Sequence, residues 1–436
     1  MINRRTAISA SLATLATSAV RAESLAAGVA RFPAGFLWGA ATAGHQVEGN
    51  NVNADQWLLE TVKPSLAAAP SGDACNSFEL WRTDLDLVKS LGLNSYRFSI
   101  EWPRIEPEDG QFSLAMLDHY KAMIEGCHVR GLSPVVTLSH FTTPRWFAAR
   151  GGWLNPDAPA LFARYCDRAI RHLGDGLRYV ATLNEPNNAL LLQSVLPAPF
   201  WAALRASLQA CAKASGTERF TVGNTVLPED VASITQGLLA AHKLGRDAIK
   251  ALRPSLRVGV TLAVLDDQAV GVDSVRDARR ETFYGPWLRA ARNDDYVGVQ
   301  NYERAVWDGH GKLPSPSGTP RTYGGAEIYP ASLANAVRYV HAQTNLPILV
   351  TEHGLGTTDD RLRANLIPAA LTHLRAAIAD GIPVEGYIHW SLLDNYEWGG
   401  SDKARFGLVA VDRATFRRTP KPSASVLTRI VARESR

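Results

Sequence analysis

Nowhere in the 436 residues does an apolar run approach the roughly 20 residues of a membrane-spanning helix, which excludes a helical integral membrane protein. Cysteine is scarce. Cys75, Cys127, Cys166 and Cys211 lack the short paired spacings of a metal site, and four thiols in a chain this long read as core residues rather than a disulfide framework. Charge of one sign is also missing: 46 Lys and Arg against 42 Asp and Glu leave +4, and the basic residues are scattered, so there is no electrostatic footprint for nucleic acid. No G-x-G-x-x-G turn follows an early strand, which removes the main support for a doubly wound nucleotide-binding sheet. Repeats, linkers and composition breaks are absent as well.

What remains is a chain with 46% apolar residues and ample material for one large core. It carries 11 Trp and 12 Tyr, flat amphipathic rings that pack in cores and also stack on the apolar faces of sugars. Residues 1–30 stand apart. Arg4-Arg5 precede a weakly apolar Ala/Ser/Thr-rich run, followed by Val20-Arg21-Ala22, and the segment reads as a twin-arginine export signal. That reading predicts a periplasmic or secreted protein; a disordered basic N-terminus is the other reading.

From residue 31 onward the pattern alternates. Strands are expected at 36–42, 94–100, 134–139, 179–184, 257–263, 296–300, 348–351 and 384–391. Helical spacing appears at 78–91, with Gly92 as its C-cap, and at 114–130, 158–173, 332–343 and 361–380. The longest connection, 187–254, holds at least two helical patterns, and the Pro- and Gly-rich stretch 309–325 is expected to be a rim loop. Eight strand-and-helix units predict an α/β fold, a single (β/α)8 TIM barrel over residues 31–436.

Two of the expected strands end on glutamates, Glu185 and Glu352. In such a barrel both carboxylates reach the C-terminal rim, where active sites form. Glycoside hydrolysis needs this pair: an acid to protonate the leaving oxygen and a carboxylate on the opposite face of the sugar. Asn184 offers an amide to a sugar hydroxyl, Tyr302 follows strand six, and Arg97 is a strand cation in need of a counter-ion. Singly, each has a plain structural role open to it, as a solvated strand end or an ordinary ion pair.

The motifs extend further. They include Phe36-Leu37-Trp38-Gly39-Ala40-Ala41-Thr42-Ala43, Gln46-x-Glu48-Gly49, Tyr96-Arg97-Phe98-Ser99-Ile100-x-Trp102-x-Arg104 and Asn184-Glu185-Pro186. Later come Glu327-Ile328-Tyr329-Pro330, Thr351-Glu352-x-Gly354, Trp390-Ser391-Leu392-Leu393-Asp394-Asn395-x-Glu397-Trp398 and Arg405-Phe406-Gly407-Leu408. On these the chain resembles glycoside hydrolase family 1, the retaining β-glycosidases, from residue 32 to 422. The resemblance implies Glu185 as acid/base and Glu352 as nucleophile. It implies a glycone site at Gln46, His140, Asn184, Tyr302, Trp390, Glu397 and Trp398, with Phe406 lining the pocket and Arg97 and Tyr302 supporting the nucleophile. It implies no metal and no organic cofactor, and a small-molecule β-glycoside as the partner.

Members acting on phosphorylated sugars carry Ser in place of Trp398, with Lys and Tyr six and eight residues later. This chain has Trp398, Ala404 and Phe406, so the resemblance implies a neutral glycone. Plant thioglucosidases lack the acid/base carboxylate, so Glu185 implies O-glycosides. The expected activity is an exo-β-glucosidase tolerant of aryl or bulky aglycones, with a transglycosylating β-glycosidase or a non-catalytic carbohydrate-binding barrel as alternatives. Three positions depart from the family pattern. Phe141 stands for Trp, Gln300-Asn301 for Asn-Tyr, and His353 for Asn beside the nucleophile, where it is expected to alter local charge; Gln300 and Phe141 are left out of the expected site.

Overall fold

The computed structural model describes residues 31–400 and 404–434, so the expected export segment, 1–30, lies outside the described residues. Eight parallel strands close into a barrel: β1 (Leu37–Ala41), β2 (Ser95–Ser99), β3 (Ser133–Ser139), β4 (Tyr179–Asn184), β5 (Arg257–Ala263), β6 (Tyr296–Asn301), β7 (Ile348–His353) and β8 (Val384–Trp390). Each strand pairs with its neighbours in sequence, and β8 returns to β1 with Leu37 opposite Gly386 and Ala41 opposite Trp390.

A helix follows every strand. These are α1 (Ser77–Ser90), α2 (Leu114–Val129), α3 (Ala158–Leu173), α4 (Val231–Leu252), α5 (Arg276–Ala291), α6 (Ser332–Thr344), α7 (Asp360–Ala379) and α8 (Pro422–Glu434). Local chemistry marks their ends. Ser113 accepts the Met116 N–H at the start of α2, Asp359 accepts the Arg361 N–H at the start of α7, and Gly92, at φ +74°, takes the left-handed turn that releases the chain from α1. α5 was not legible from periodicity because its first six residues, Arg276 to Glu281, are polar apart from Ala278, and its buried face, with Phe283, Tyr284, Trp287 and Leu288, is confined to the second half.

The strands are apolar on both sides, as a doubly covered parallel sheet requires. Inward, Leu37, Val135, Tyr179, Tyr296, Leu349 and Ile388 fill the barrel; outward, residues such as Val136, Val180, Val297 and Val350 pack beneath the helices. This layer floors the C-terminal mouth. The rim adds a short parallel sheet, Asp266–Ala269 with Arg304–Trp307, that the sequence did not suggest. The stretch 309–325 is irregular apart from isolated bridges, as expected of a rim loop.

Candidate active site

Strict alternation would not bring the key side chains inward. On β4, Tyr179 faces the barrel interior and Thr182 faces α4, where its hydroxyl meets His242 at 2.7 Å. Continuing that alternation would turn Asn184 outward. The register with β5 slips between Ala181 and Asn184, so three steps on β4 match two on β5, and Asn184 turns inward. β7 repeats the device. Leu349 faces inward and Val350 outward, the register with β6 slips between Val299 and Gln300, and Glu352 is thereby brought opposite Gln300 inside the mouth.

Glu352 then sits among three donors. Arg97 Nη1 donates to Oε1 at 2.5 Å, Tyr302 Oη donates to Oε2 at 2.5 Å, and Gln300 Nε2 donates to Oε1 at 2.9 Å. Asn184 completes the cluster. Its Oδ1 accepts from Arg97 Nη2 at 2.6 Å, Gln300 Nε2 at 2.8 Å and Thr261 Oγ1 at 3.1 Å. Gln300, left out of the expected site, therefore links the carboxylate to the Asn184 amide. The resemblance hid this because the family pattern has the shorter amide; the same chemistry on one more methylene was the available signal.

Glu185 follows directly after Asn184 at φ +41°, a left-handed conformation that a non-glycine residue holds only when its surroundings impose it. Its N–H donates to Thr261 O at 2.8 Å and its carbonyl accepts the Asn188 N–H at 2.9 Å, which pins the turn. Burial, followed by the charge on Glu352, pushes its carboxyl well above the usual range, with Arg97 opposing. Glu352 is also raised by burial, but Arg97 and the Tyr302 hydroxyl pull back, so of the pair it is Glu352 that ionises first. Arg97 and Tyr302 thus support the charge without bringing it below the ordinary carboxylate value.

Around this pair lie the remaining expected residues. Trp390 stacks on His140, centroids 5.6 Å apart and planes within 13°. Burial and the nearby Arg97 hold His140 neutral. Its Nε2 faces Asn184 Nδ2 at 3.3 Å, which makes Nε2 the acceptor and leaves the proton on Nδ1, an atom with no protein partner. Gln46 donates from Nε2 to Tyr396 O at 2.8 Å, while Gln46 Oε1 and Glu397 Oε1 are buried without protein partners. Such atoms are rare in native proteins and mark places where a ligand's polar groups belong. Burial, then the charge on Glu352, raises the Glu397 carboxyl well above its usual range. Phe406 meets the Tyr302 ring edge-on at 5.7 Å, and Phe141 meets Trp398 edge-on at 5.6 Å.

His353 corrects one expectation. The bulge that turns Glu352 inward turns His353 outward, where Nδ1 lies 3.0 Å from the Tyr387 hydroxyl. Burial pushes its imidazole down to about 4, so it is neutral and adds no charge beside Glu352. Among the described residues no group of His, Cys, Asp and Glu side chains is arranged to hold a metal ion.

The sequence matches the profile of Glycosyl hydrolase family 1 over residues 29–211 and 295–435. The chain belongs to that family. It is an O-glycoside hydrolase of the β-glucosidase type. A β-glucosidase from Agrobacterium sp. is 31% identical over 450 aligned residues, covering 90% of this chain and 94% of the relative. Among solved structures, the apo form of beta-glucosidase 1317 superposes with a TM-score of 0.87 at 43% identity, covering 91% of this chain and 98% of the other. The β-glucosidase from Thermotoga maritima in complex with deoxynojirimycin superposes with a TM-score of 0.79 at 26% identity, covering 93% and 99%. As a family 1 hydrolase, the chain has its inward-turned carboxylates at the mouth of the barrel, and residues 212–294 lie outside the profile match.

Proposed function

We propose that this family 1 hydrolase cleaves non-phosphorylated β-glucosides with retention of configuration, with Glu352 as nucleophile and Glu185 as acid/base. The observation that carries the assignment is the asymmetry of the pair: Glu352 receives three donors, one of them cationic, whereas the half-buried Glu185 carboxyl has none of these donors and faces the charge on Glu352. Two carboxyl groups whose surroundings drive their pKa values apart divide into acid and base.

In the first step a lone pair of Glu352 attacks the anomeric carbon while Glu185 gives its proton to the glycosidic oxygen, and the aglycone leaves as an alcohol or phenol. The ester thus formed carries no charge. Glu185 loses the main electrostatic opposition to its own ionisation, takes a proton from water, and the water oxygen attacks the anomeric carbon as Glu352 departs with its electrons. Asn184 reaches the glycone beside the reacting carbon. Gln46 Oε1, Glu397 Oε1 and the His140 Nδ1–H supply two acceptors and a donor for the remaining hydroxyls, and Trp390 and Trp398 supply flat apolar faces. That the T. maritima relative binds deoxynojirimycin, a glucose-shaped iminosugar, supports a glucose-sized glycone.

On the Glu185 side, Phe141, Trp153, Asn224, Val226 and Leu238 enclose a void of only about 20 Å³, room for a single water, so it is not the aglycone site, and the preference for aryl or bulky aglycones stays a reading of the sequence. Hydrolysis of p-nitrophenyl β-glucoside by the wild type, Glu185→Gln and Glu352→Gln tests the scheme, and equal rates for all three would refute it. A 2-fluoroglucosyl adduct recovered on a peptide other than the one holding Glu352 would refute the nucleophile assignment.

A further inference from the structure

Behind the glycone wall lies a second buried cluster that the mechanism does not use. His45 and Glu60 are both inaccessible to solvent, with His45 Nε2 at 3.0 Å from Glu60 Oε1. Glu60 also accepts from Gln56 Nε2 at 3.2 Å, the Ser71 N–H at 2.8 Å and the Ser71 hydroxyl at 2.6 Å. Burial works against its charge, but these donors outweigh burial and hold it below the usual carboxylate range.

Asn51 fixes the tautomer of the histidine. Its Nδ2 donates to Glu101 Oε2 at 2.7 Å and faces His45 Nδ1 at 3.4 Å. A nitrogen committed as a donor makes Nδ1 the acceptor, so the imidazole proton is on Nε2 and points at Glu60. One charge-assisted bond thereby sets the plane of the ring.

That ring is packed against the loop that carries Trp398. The indole of Trp398 lies parallel to the imidazole, planes within 4° and centroids 5.6 Å apart, and Tyr396 meets the ring edge-on at 6.3 Å. The residue after His45 is tied to the same loop: the Tyr396 N–H donates to Gln46 O at 3.0 Å and Gln46 Nε2 donates to Tyr396 O at 2.8 Å. A phenyl ring could fill this volume without a buried anion. What the anion adds is orientation, which packing alone does not enforce.

We propose that His45 and Glu60 are positioning residues for glycone binding: Glu60 fixes the His45 ring, and the ring sets the place of Trp398 and, through the paired Gln46 and Tyr396 segments, of Gln46. The proposal rests on the assignment of Gln46 and Trp398 to the glycone site. Neither His45 nor Glu60 touches the substrate, so both act on affinity for the sugar more than on turnover.

The substitutions Glu60→Ala, Glu60→Gln and His45→Phe separate this role from a structural one. Glu60→Ala is expected to raise KM for p-nitrophenyl β-glucoside, and the inhibition constant of free glucose, about tenfold with kcat within about threefold. Glu60→Gln keeps an oxygen for the His45 N–H but turns an NH2 group toward Ser71, so its Tm is expected to fall while KM stays within about threefold of wild type. His45→Phe keeps the ring volume but leaves the buried Glu60 carboxylate one donor short, so KM is expected to rise several-fold with a lowered Tm, and the contrast with Glu60→Gln, lowered in Tm but not in affinity, keeps the test open should Glu60→Ala not fold. A wild-type KM in His45→Phe, or KM values that follow Tm across the set, would overturn the proposal. A wild type with no glucosidase activity would refute the functional reading beneath it, whereas an active wild type with indifferent variants refutes the positioning role alone.

Discussion

Replacing Gln300 by Leu removes one donor to Glu352 and leaves the other two in place. The side chain is close in volume, so the change is to hydrogen bonding more than to packing. The bond in question spans 2.9 Å from Gln300 Nε2 to Glu352 Oε1, longer than the 2.5 Å bonds from Arg97 and Tyr302. A hydrogen bond to a charged group contributes about 1.5 to 3 kcal/mol, and a neutral amide at this distance is set near 2 kcal/mol. That support belongs to the ionised form of Glu352, so losing it raises the pKa further by about 1.5 units at 1.36 kcal/mol per unit. Glu352 must be ionised to attack, so the acid limb of kcat/KM moves to higher pH.

The same bond acts again when the glycosyl ester breaks, because the departing carboxylate recovers its charge with one donor fewer. Deglycosylation is expected to slow by up to about 30-fold, the full 2 kcal/mol being the limit for complete charge recovery in the transition state. For an aryl glucoside with a good leaving group, kcat and KM fall together as the ester accumulates. The assay is steady-state hydrolysis of p-nitrophenyl β-glucoside from about pH 4 to about pH 9, with intact-protein mass spectrometry of the accumulated adduct. An acid limb that does not move, together with kcat within about twofold of wild type in a natively folded variant, would refute the role given to Gln300.

Three further outcomes are expected. Tyr302→Phe, which loses the 2.5 Å bond to Glu352 Oε2, should slow deglycosylation about tenfold or more and accumulate the same adduct, detected by mass. Glu185→Ala should lose far more rate on alkyl glucosides than on nitrophenyl glucosides, since only the poor leaving group needs the proton, and a loss equal across a leaving-group series would contradict the acid role. Asp55→Asn places an NH2 group against the Gly223 N–H, now 2.8 Å from Oδ2, and the Thr143 hydroxyl; it should lower stability by about 1 to 3 kcal/mol in urea unfolding.

Most of the barrel was legible because doubly buried strands leave continuous apolar runs and amphipathic helices leave a 3.6-residue period. The eight expected strands match the observed ones within two residues at each end. α5 was missed because its polar first half leaves only a short apolar face, and the strand pair Asp266–Ala269 and Arg304–Trp307 was missed because four-residue strands leave no periodic trace. The motif residues around the mouth were named from the sequence. Three things were not: the Gln300 link between Glu352 and Asn184, the His45 to Glu60 pair, and the outward turn of His353.

The last of these has one physical cause. A strand delivers alternate residues to opposite faces, so from Leu349, which faces the interior, parity assigns Thr351 and His353 to the mouth and Glu352 to the helical layer. On that count His353 would be the group beside the chemistry. One register slip between β6 and β7 inverts the assignment, and a matching slip between β4 and β5 does the same for Asn184. The two strands that carry the inward-turned glutamate and asparagine therefore each break their pairing just before the residue concerned. A bulge leaves no fixed residue signature; it is a property of two strands compared, not of one read alone. The residues of the site can be named from a sequence, but the direction in which each points is decided by its neighbour's register.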